Sequence, residues 1–600
     1  LPKEVQALIV TVVKRSRLMR FEKLEVVQEL IAHFTDGELA GQTCRQLVEQ
    51  FGDPRVTAQL IRRSKLRNRP IMFKALQICG WCFLGLASIY LAISAYFYAG
   101  APTPNVDYLR DLNRPISETA ERDKAWPIYR PLWIKYGFSE GGGFNEQMRE
   151  LYAWTVNEHG DRQQRGLVKP EDPEWPEAIA RLQQWSDLLE GFRQGARRPK
   201  LGLELQADIS KYSEEDRFAI FPHLKPGEDS NWWSKQTSPD KQLDQLMAGS
   251  LVGILLPHIQ SFRNAARIFQ VDTRWAIEQH DSHRALENIE TVMGLARQVS
   301  DSKILVCSLV GFAVQETAVQ MLEETLAGSP DFFDDQQLSR LQRLMEDIDY
   351  RNWIRFDGER AMFYDMVQRV FTDDGKGNGR ITPVGIRFLS SGLYLGRSVF
   401  EHADIPEYQG LSEAIHYVVA PASMLMVASR EETVATYEFW LNRIEKDLEL
   451  PLWQSSDLGT EFQHFIEKNG IAHAVLGFVF PAYSSLRKAS DRMIGRQEAV
   501  IASLAMHRYF LKHGQWPDSF EQLSPEFVTE FPIDVITGDF IKFKIGDSGP
   551  IIYSVGNDRD DDGGQPIYWE SPQGAVRTLH FIPGEKPEKD GDAILWPSSY

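Results

Sequence analysis

Apolar positions recur at helical spacing over residues 18–34, where Leu24, Val27, Leu30, Ile31 and Phe34 make one stripe and Glu22, Glu25 and Glu29 take the other faces. A second short helix is predicted after Gly41, carrying Leu47, Val48 and Phe51 and stopping at Gly52-Asp53-Pro54. A third runs on through Leu60 into a basic stretch. The pattern then changes: from Ala75 to Tyr98 the chain reads ALQICGWCFLGLASIYLAISAYFY, without a charged side chain. At about 1.5 Å per helical residue this spans roughly 36 Å, against a hydrocarbon core of about 30 Å.

Helical stripes return near residue 250. Leu286, Ile289, Val292, Met293, Ala296 and Val299 form one, and Leu305, Leu309, Phe312, Ala313, Val319 and Leu322 form another after the break at Ser300-Asp301. A long helix is predicted from near Arg487 to His513, followed by strand-like runs at 540–545 and 551–555, as for a helix laid on a small antiparallel sheet. The expected fold class is mainly α. Its parts are a cytoplasmic helical module (1–70), one transmembrane helix (75–98), an irregular, partly helical Trp- and Pro-rich region (99–250), a region of tetratricopeptide-like helix pairs (251–486) and a small α+β domain (487–600).

Charge orients this plan. Residues 1–74 hold 14 Lys and Arg against 8 Asp and Glu, so the remainder of a chain with formal charge -18 is strongly acidic. Arg62, Arg63, Lys65, Arg67, Arg69 and Lys74 precede the apolar run with no acidic residue among them, and the first charge beyond it is Asp107. Positive flanks stay in the cytoplasm, which places the bulk of the chain on the outer side of a cytoplasmic membrane. Ala75, Trp81 and Tyr98 mark the start, body and outer interface of the anchor. The acidic balance argues against a nucleic-acid partner. Four cysteines, at 44, 79, 82 and 307, leave no intrachain disulfide for the outer part and make Cys307 a lone outer thiol.

Two stretches carry resemblances. Glu29-Leu30-Ile31-Ala32-His33-Phe34, then Gly41, then Phe51-Gly52-Asp53-Pro54 resemble the HAAS or permease-prefix helical domains that precede membrane spans in bacterial proteins. The resemblance implies a partner and no catalytic residues. His507 to Ser519, then Phe531-Pro532-Ile533-Asp534, Thr537-Gly538 and Tyr553-Ser554-Val555-Gly556 resemble the C-terminal part of type II secretion major pseudopilins, the protein G type. The preceding helix here holds Arg487, Lys488, Asp491, Arg492 and Arg496 where a pseudopilin has an apolar assembly helix, so a borrowed fold is implied rather than a filament.

Within the second stretch, Asp558, Asp560, Asp562 and Gly563 follow the start of a calcium loop, in which alternate carboxylates converge on one hard cation. The resemblance adds a calcium-stabilised loop in this region. Trp569 stands where the closing Glu of an EF-hand would be. Elsewhere candidate chemistry is thin. His280 and His283 lack further metal ligands nearby, and the 372–381 loop has neither the ending of a phosphate loop nor a full calcium set. Trp126, Trp133, Trp154, Trp232 and Trp233 could build a stacking platform or a core, and Glu359 and Asp365 read as solvated helix-face carboxylates. Ser-x-x-Lys occurs three times, as cheap patterns do, without its companion Lys-Thr-Gly. The expected function is a membrane-anchored extracytoplasmic binding or scaffold protein, with envelope proteins or wall polymer as partners and no catalytic residues. A transmembrane signal relay and an envelope hydrolase of unfamiliar class are the alternatives.

Overall fold

A computed structural model describes residues 1–69, 71–137, 144–156, 162–221, 249–390, 420–422, 424–470, 472–478, 481–547, 549–556, 559–566, 568–570, 576–578 and 591–597. It is mainly helical and falls into two compact units, Leu1–Tyr96 and Phe97–Tyr600.

The first unit packs α1 (Lys3–Ser16), α2 (Arg20–Leu39), α3 (Cys44–Phe51) and α4 (Pro54–Arg67) around Val5, Ile9, Val12, Val26, Leu30, Phe34, Leu47 and Ala58. Local chemistry sets the boundaries. Asp53 caps α4 by accepting from the Arg55 N–H at 2.8 Å, and Pro54 occupies the first helical position, where no N–H is needed. The sequence reading lacks α1, and it places the stripe of α2 only in part: Leu30 and Phe34 are buried and Val27 packs against the core, but Leu24 and Ile31 are exposed. Leu24 is 63% exposed, whereas Glu22 is buried with Val26, Leu30 and Phe34. Glu22 is drawn inward because Arg69 donates to both its oxygens, at 2.7 and 2.9 Å, and the Met19 N–H donates to it as well. α4 also ends at Arg67 instead of running on, and α5 (Ile71–Tyr98) begins after Pro70, whose ring disfavours helix in the residue before it. Along α5 most of the described apolar side chains, from Leu76 to Leu91, stand exposed, whereas Phe97 near its end is buried.

Among the described residues two helices are long and apolar enough to cross a membrane. One is the Ile78–Tyr98 stretch of α5, whose most apolar window has no buried residue; the other is Leu305–Gly328, whose window is 67% buried and packs as a core helix.

The second unit opens with α6 (Tyr108–Ser117), α7 (Trp126–Tyr136), α8 (Phe144–Gln147), the antiparallel pair β1 (Tyr152–Val156) and β2 (Arg162–Leu167), α9 (Trp175–Gln184), α10 (Ser186–Ala196) and α11 (Glu214–Ile220). Its centre is α12 (His258–Glu278), α13 (Ser282–Ser300) and α14 (Leu305–Gly328), mutually packed. Asp281 caps α13 through the Arg284 N–H, and the break at Ser300-Asp301 is the connection to α14. Then come α15 (Asp335–Glu346), α16 (Tyr350–Trp353), α17 (Asp357–Val370), α18 (Pro383–Ser390), α19 (Arg430–Glu449) and α20 (Leu458–Asn469).

The 33-residue α21 (Pro481–His513) stops at Gly514, whose φ of 71° suits glycine. It packs on α14 and α15 and carries the antiparallel sheet of β3 (Lys542–Gly546), β4 (Gly549–Ser554) and β7 (Ala593–Trp596), with β4 central. β5 (Tyr568–Glu570) and β6 (Val576–Thr578) pair separately. Side chains of α7, α9 to α15, α21, β4 and β7 join one continuous core. Arg487, Asp491 and Arg496, the polar residues that set α21 apart from an apolar assembly helix, are buried and paired.

Candidate binding site

On α13, Glu287, Glu290, Thr291, Gly294 and Arg297 recur at three- and four-residue spacing, so they share one side of the helix. That side forms the base of an open groove of about 570 Å3. Arg193 and Arg197, at the end of α10, make one wall; Arg340 and Leu344 on α15, then Ile348 and Trp353, make the other. The walls come close because position 294 has no side chain: a Cβ there would lie 2.5 Å from the Ala196 carbonyl oxygen.

Arg193 is held by a fully buried anchor. Its guanidinium donates to Asn288 at 2.8 Å and to Asp272 at 3.2 Å, and Asn288 donates to the same Asp272 carboxylate at 2.7 Å. Arg284 adds a further ion pair to Asp272. A buried carboxylate compensated by two guanidiniums and an amide holds the wall in place. Nearer the mouth, Arg197 pairs with Glu287 at 2.6 Å and Arg340 donates to Glu290 at 2.8 Å. Burial still raises the Glu290 carboxyl above its ordinary range, although Arg340 opposes it. Four arginines face Glu287, Glu290, Asp347 and Asp349, so the groove carries both signs in equal number beside the apolar side chains of Met293, Leu344, Ile348 and Trp353. No His, Cys or Ser lines it, and its one hydroxyl, Thr291, donates to the Glu287 carbonyl. The arrangement sets paired ions beside apolar side chains, a surface able to bind a partner.

The residues singled out from sequence fall elsewhere. Among the calcium candidates, Asp558 lies outside the described residues, Asp560 is exposed and Asp562 half-buried. Asp561 between them accepts from Tyr553 Oη and the Gly563 N–H. Asp592, missed in the sequence, lies against this loop: it is fully buried, its Oδ2 accepts from the Gly564 N–H at 2.6 Å, and its Oδ1 has no hydrogen-bond partner. Burial, with Asp561 and Asp562 nearby, raises the Asp592 carboxyl to about 6. Among the described residues no group of three or more His, Cys, Asp or Glu is placed to hold a metal ion.

Ala75 and Trp81 are exposed on α5, and Tyr98 ends it. Trp126 and Trp133 meet edge to face at 5.1 Å inside the core, so neither belongs to a platform; Trp154 is half-buried on β1, and Trp232 and Trp233 lie outside the described residues. His280 and His283 are exposed at the α12–α13 turn. In the 372–381 loop, Asp374 accepts from the Lys376 and Asn378 N–H groups and Asp373 pairs with Arg430, an ordinary closed turn.

Cys307 is a free thiol, buried so that desolvation pushes it up to about 12. Two readings are overturned: Asp365, expected on a solvated face, is buried, and Glu359 is half-buried with its Oε2 shut off from solvent. Asp365 pairs with Arg369 one turn along α17 and accepts from the Leu251 N–H, a long-range partner that helical spacing does not reveal. No family model, curated protein or solved structure matches the chain.

Proposed function

We propose that this chain is a membrane-anchored extracytoplasmic binding or scaffold protein whose partner-facing site is the charge-balanced groove between α10, α13 and α15. The observation that supports the reading is the groove itself: opposed guanidiniums and carboxylates beside apolar side chains. Such a surface selects an envelope protein segment or wall polymer carrying both signs of charge, because each unmatched ion would lose its partner on docking. The exposed apolar α5 serves as the anchor, with its basic flank inside the cell. Photocrosslinking from position 291 in native membranes tests the site. A captured partner that disappears in Arg340→Glu supports it, and an empty crosslink profile sinks it.

A second reading concerns the acidic loop. The unpartnered buried oxygen of Asp592 beside Asp562 suits a hard divalent cation such as calcium, which would offset the desolvated charge. Calorimetric titration of the full chain with calcium should give heat that Asp592→Asn diminishes. Silence at millimolar calcium counts against it.

A further inference from the structure

A cavity of about 430 Å3 opens where the β3–β4 hairpin meets the C-terminal end of α14 and the last turns of α21. His507 lines it with Glu323 and Leu326 from α14, Lys544 and Ile551 from the hairpin, and Trp596 from β7. One bond determines the tautomer of His507. Its Nδ1 lies 2.7 Å from the Ser503 carbonyl oxygen, and a carbonyl can only accept. Nδ1 therefore carries the proton, and Nε2 keeps a lone pair. Burial keeps the ring neutral by pushing its pKa down to about 4, and the Trp516 indole packs edge to face against it at 5.0 Å.

Two charged groups of this cavity, Glu323 and Lys544, are engaged. Arg496 holds Glu323 at 2.7 Å, and Lys544 Nζ donates to the carbonyls of Gly563 and Gly564 at 2.9 Å each. What is left is acceptor capacity, from the imidazole lone pair and the carboxylates of Glu323 and Asp547, beside an apolar wall of Leu326, Ile551 and Trp596. An anion would meet two carboxylates and a lysine already engaged. A cation finds no group of three ligands among the described residues. A neutral polyol satisfies both surfaces, since its hydroxyls donate to the acceptors and its C–H faces pack on indole and aliphatic carbon.

We infer that this cavity binds a neutral sugar residue, with His507 Nε2 and the Glu323 and Asp547 carboxylates accepting from its hydroxyls and Trp596 in the apolar wall. None of these residues lines the charged groove, so the two readings stand or fall separately.

The test is calorimetric titration of the full-length chain in a zwitterionic detergent without sugar headgroups. The probes are glucose, N-acetylglucosamine and chitobiose, with inorganic phosphate and calcium chloride as contrasts. At least one sugar should bind in the millimolar range. His507→Phe, which removes the acceptor and keeps a ring, should weaken binding by about tenfold. Ala327→Trp, which blocks the cavity from an exposed position on its wall, should abolish it. Lys468→Ala, at an exposed position that lines neither cavity, should leave it unchanged. Circular dichroism establishes that each variant folds. Folded wild-type protein that takes up none of the sugars overturns the proposal. So does sugar binding that survives Ala327→Trp, or phosphate or calcium binding that this variant abolishes.

Discussion

Glu359, in the first turn of α17, accepts the backbone N–H of Leu305 at 2.8 Å and so caps the start of α14 from a different helix. Its second oxygen is buried without a hydrogen-bond partner. Desolvation raises the carboxyl from 4.5 to about 8, so the folded chain holds this proton more tightly than the unfolded chain. The stability it contributes is full below pH 4.5 and is lost as pH rises to about 8. Glu359→Gln, which still accepts from Leu305, should remove a decline on the order of 3 kcal/mol across that window. Thermal melts at a series of pH values check this, and an unchanged slope refutes it.

His258 and His507 act on the acid side. Burial lowers both to about 4, so the unfolded chain takes up protons first. Their contribution is intact above pH 6.5 and is lost as pH falls toward 4. His258→Leu and His507→Phe should each reduce proton uptake on acid unfolding by up to one, as read by the pH dependence of the urea midpoint.

Arg496 links α21 to both neighbours, pairing with Glu323 at 2.7 Å and donating to the Leu595 carbonyl at 2.8 Å. With Arg496 and Glu323 only 5% exposed, Arg496→Met withdraws the guanidinium from the buried Glu323 carboxylate and should cost about 3–5 kcal/mol. Adding Glu323→Leu should recover much of that loss. Denaturant unfolding of the single and double variants measures the coupling, and additive effects would show that the pair is not coupled.

Gly195 lies under the Tyr129 ring, where a Cβ would come within 2.1 Å of Cε1. Tyr129 is fully buried and its hydroxyl donates to Gln298 at 2.8 Å, so the ring has little room to yield. Gly195→Ala should destabilise by about 1–3 kcal/mol through overpacking, despite alanine's better helix propensity. A melting temperature at or above wild type would contradict this.

Leu84 and Leu91 are exposed on α5. If this helix is the anchor, the chain stays with membranes through alkaline carbonate extraction, and Leu84→Lys with Leu91→Lys should release it, each lysine costing about 3 kcal/mol near a bilayer centre. Recovery of both proteins in the soluble fraction would remove the anchor from the account.

Legibility followed range. The break between α13 and α14, the end of α21 at Gly514 and the β3–β4 hairpin rest on neighbours within a few positions, where periodicity and glycine act directly. In α2 the same logic misplaced part of the stripe, because the partner that draws Glu22 inward is Arg69. The groove was not legible: Arg193, Glu287 and Arg340 come from three helices whose convergence no local spacing encodes. Asp592 likewise meets the acidic loop only through the β7 pairing.

Local patterning alone thus settled the mainly helical class, the long apolar run and the helix-then-sheet order at the C-terminal end, because backbone hydrogen bonding and side-chain periodicity are short-ranged. Tertiary packing decided which charged side chains are buried, which tautomer His507 holds and where Arg193 and Arg340 face each other, because desolvation and ion pairing depend on what the rest of the chain brings alongside.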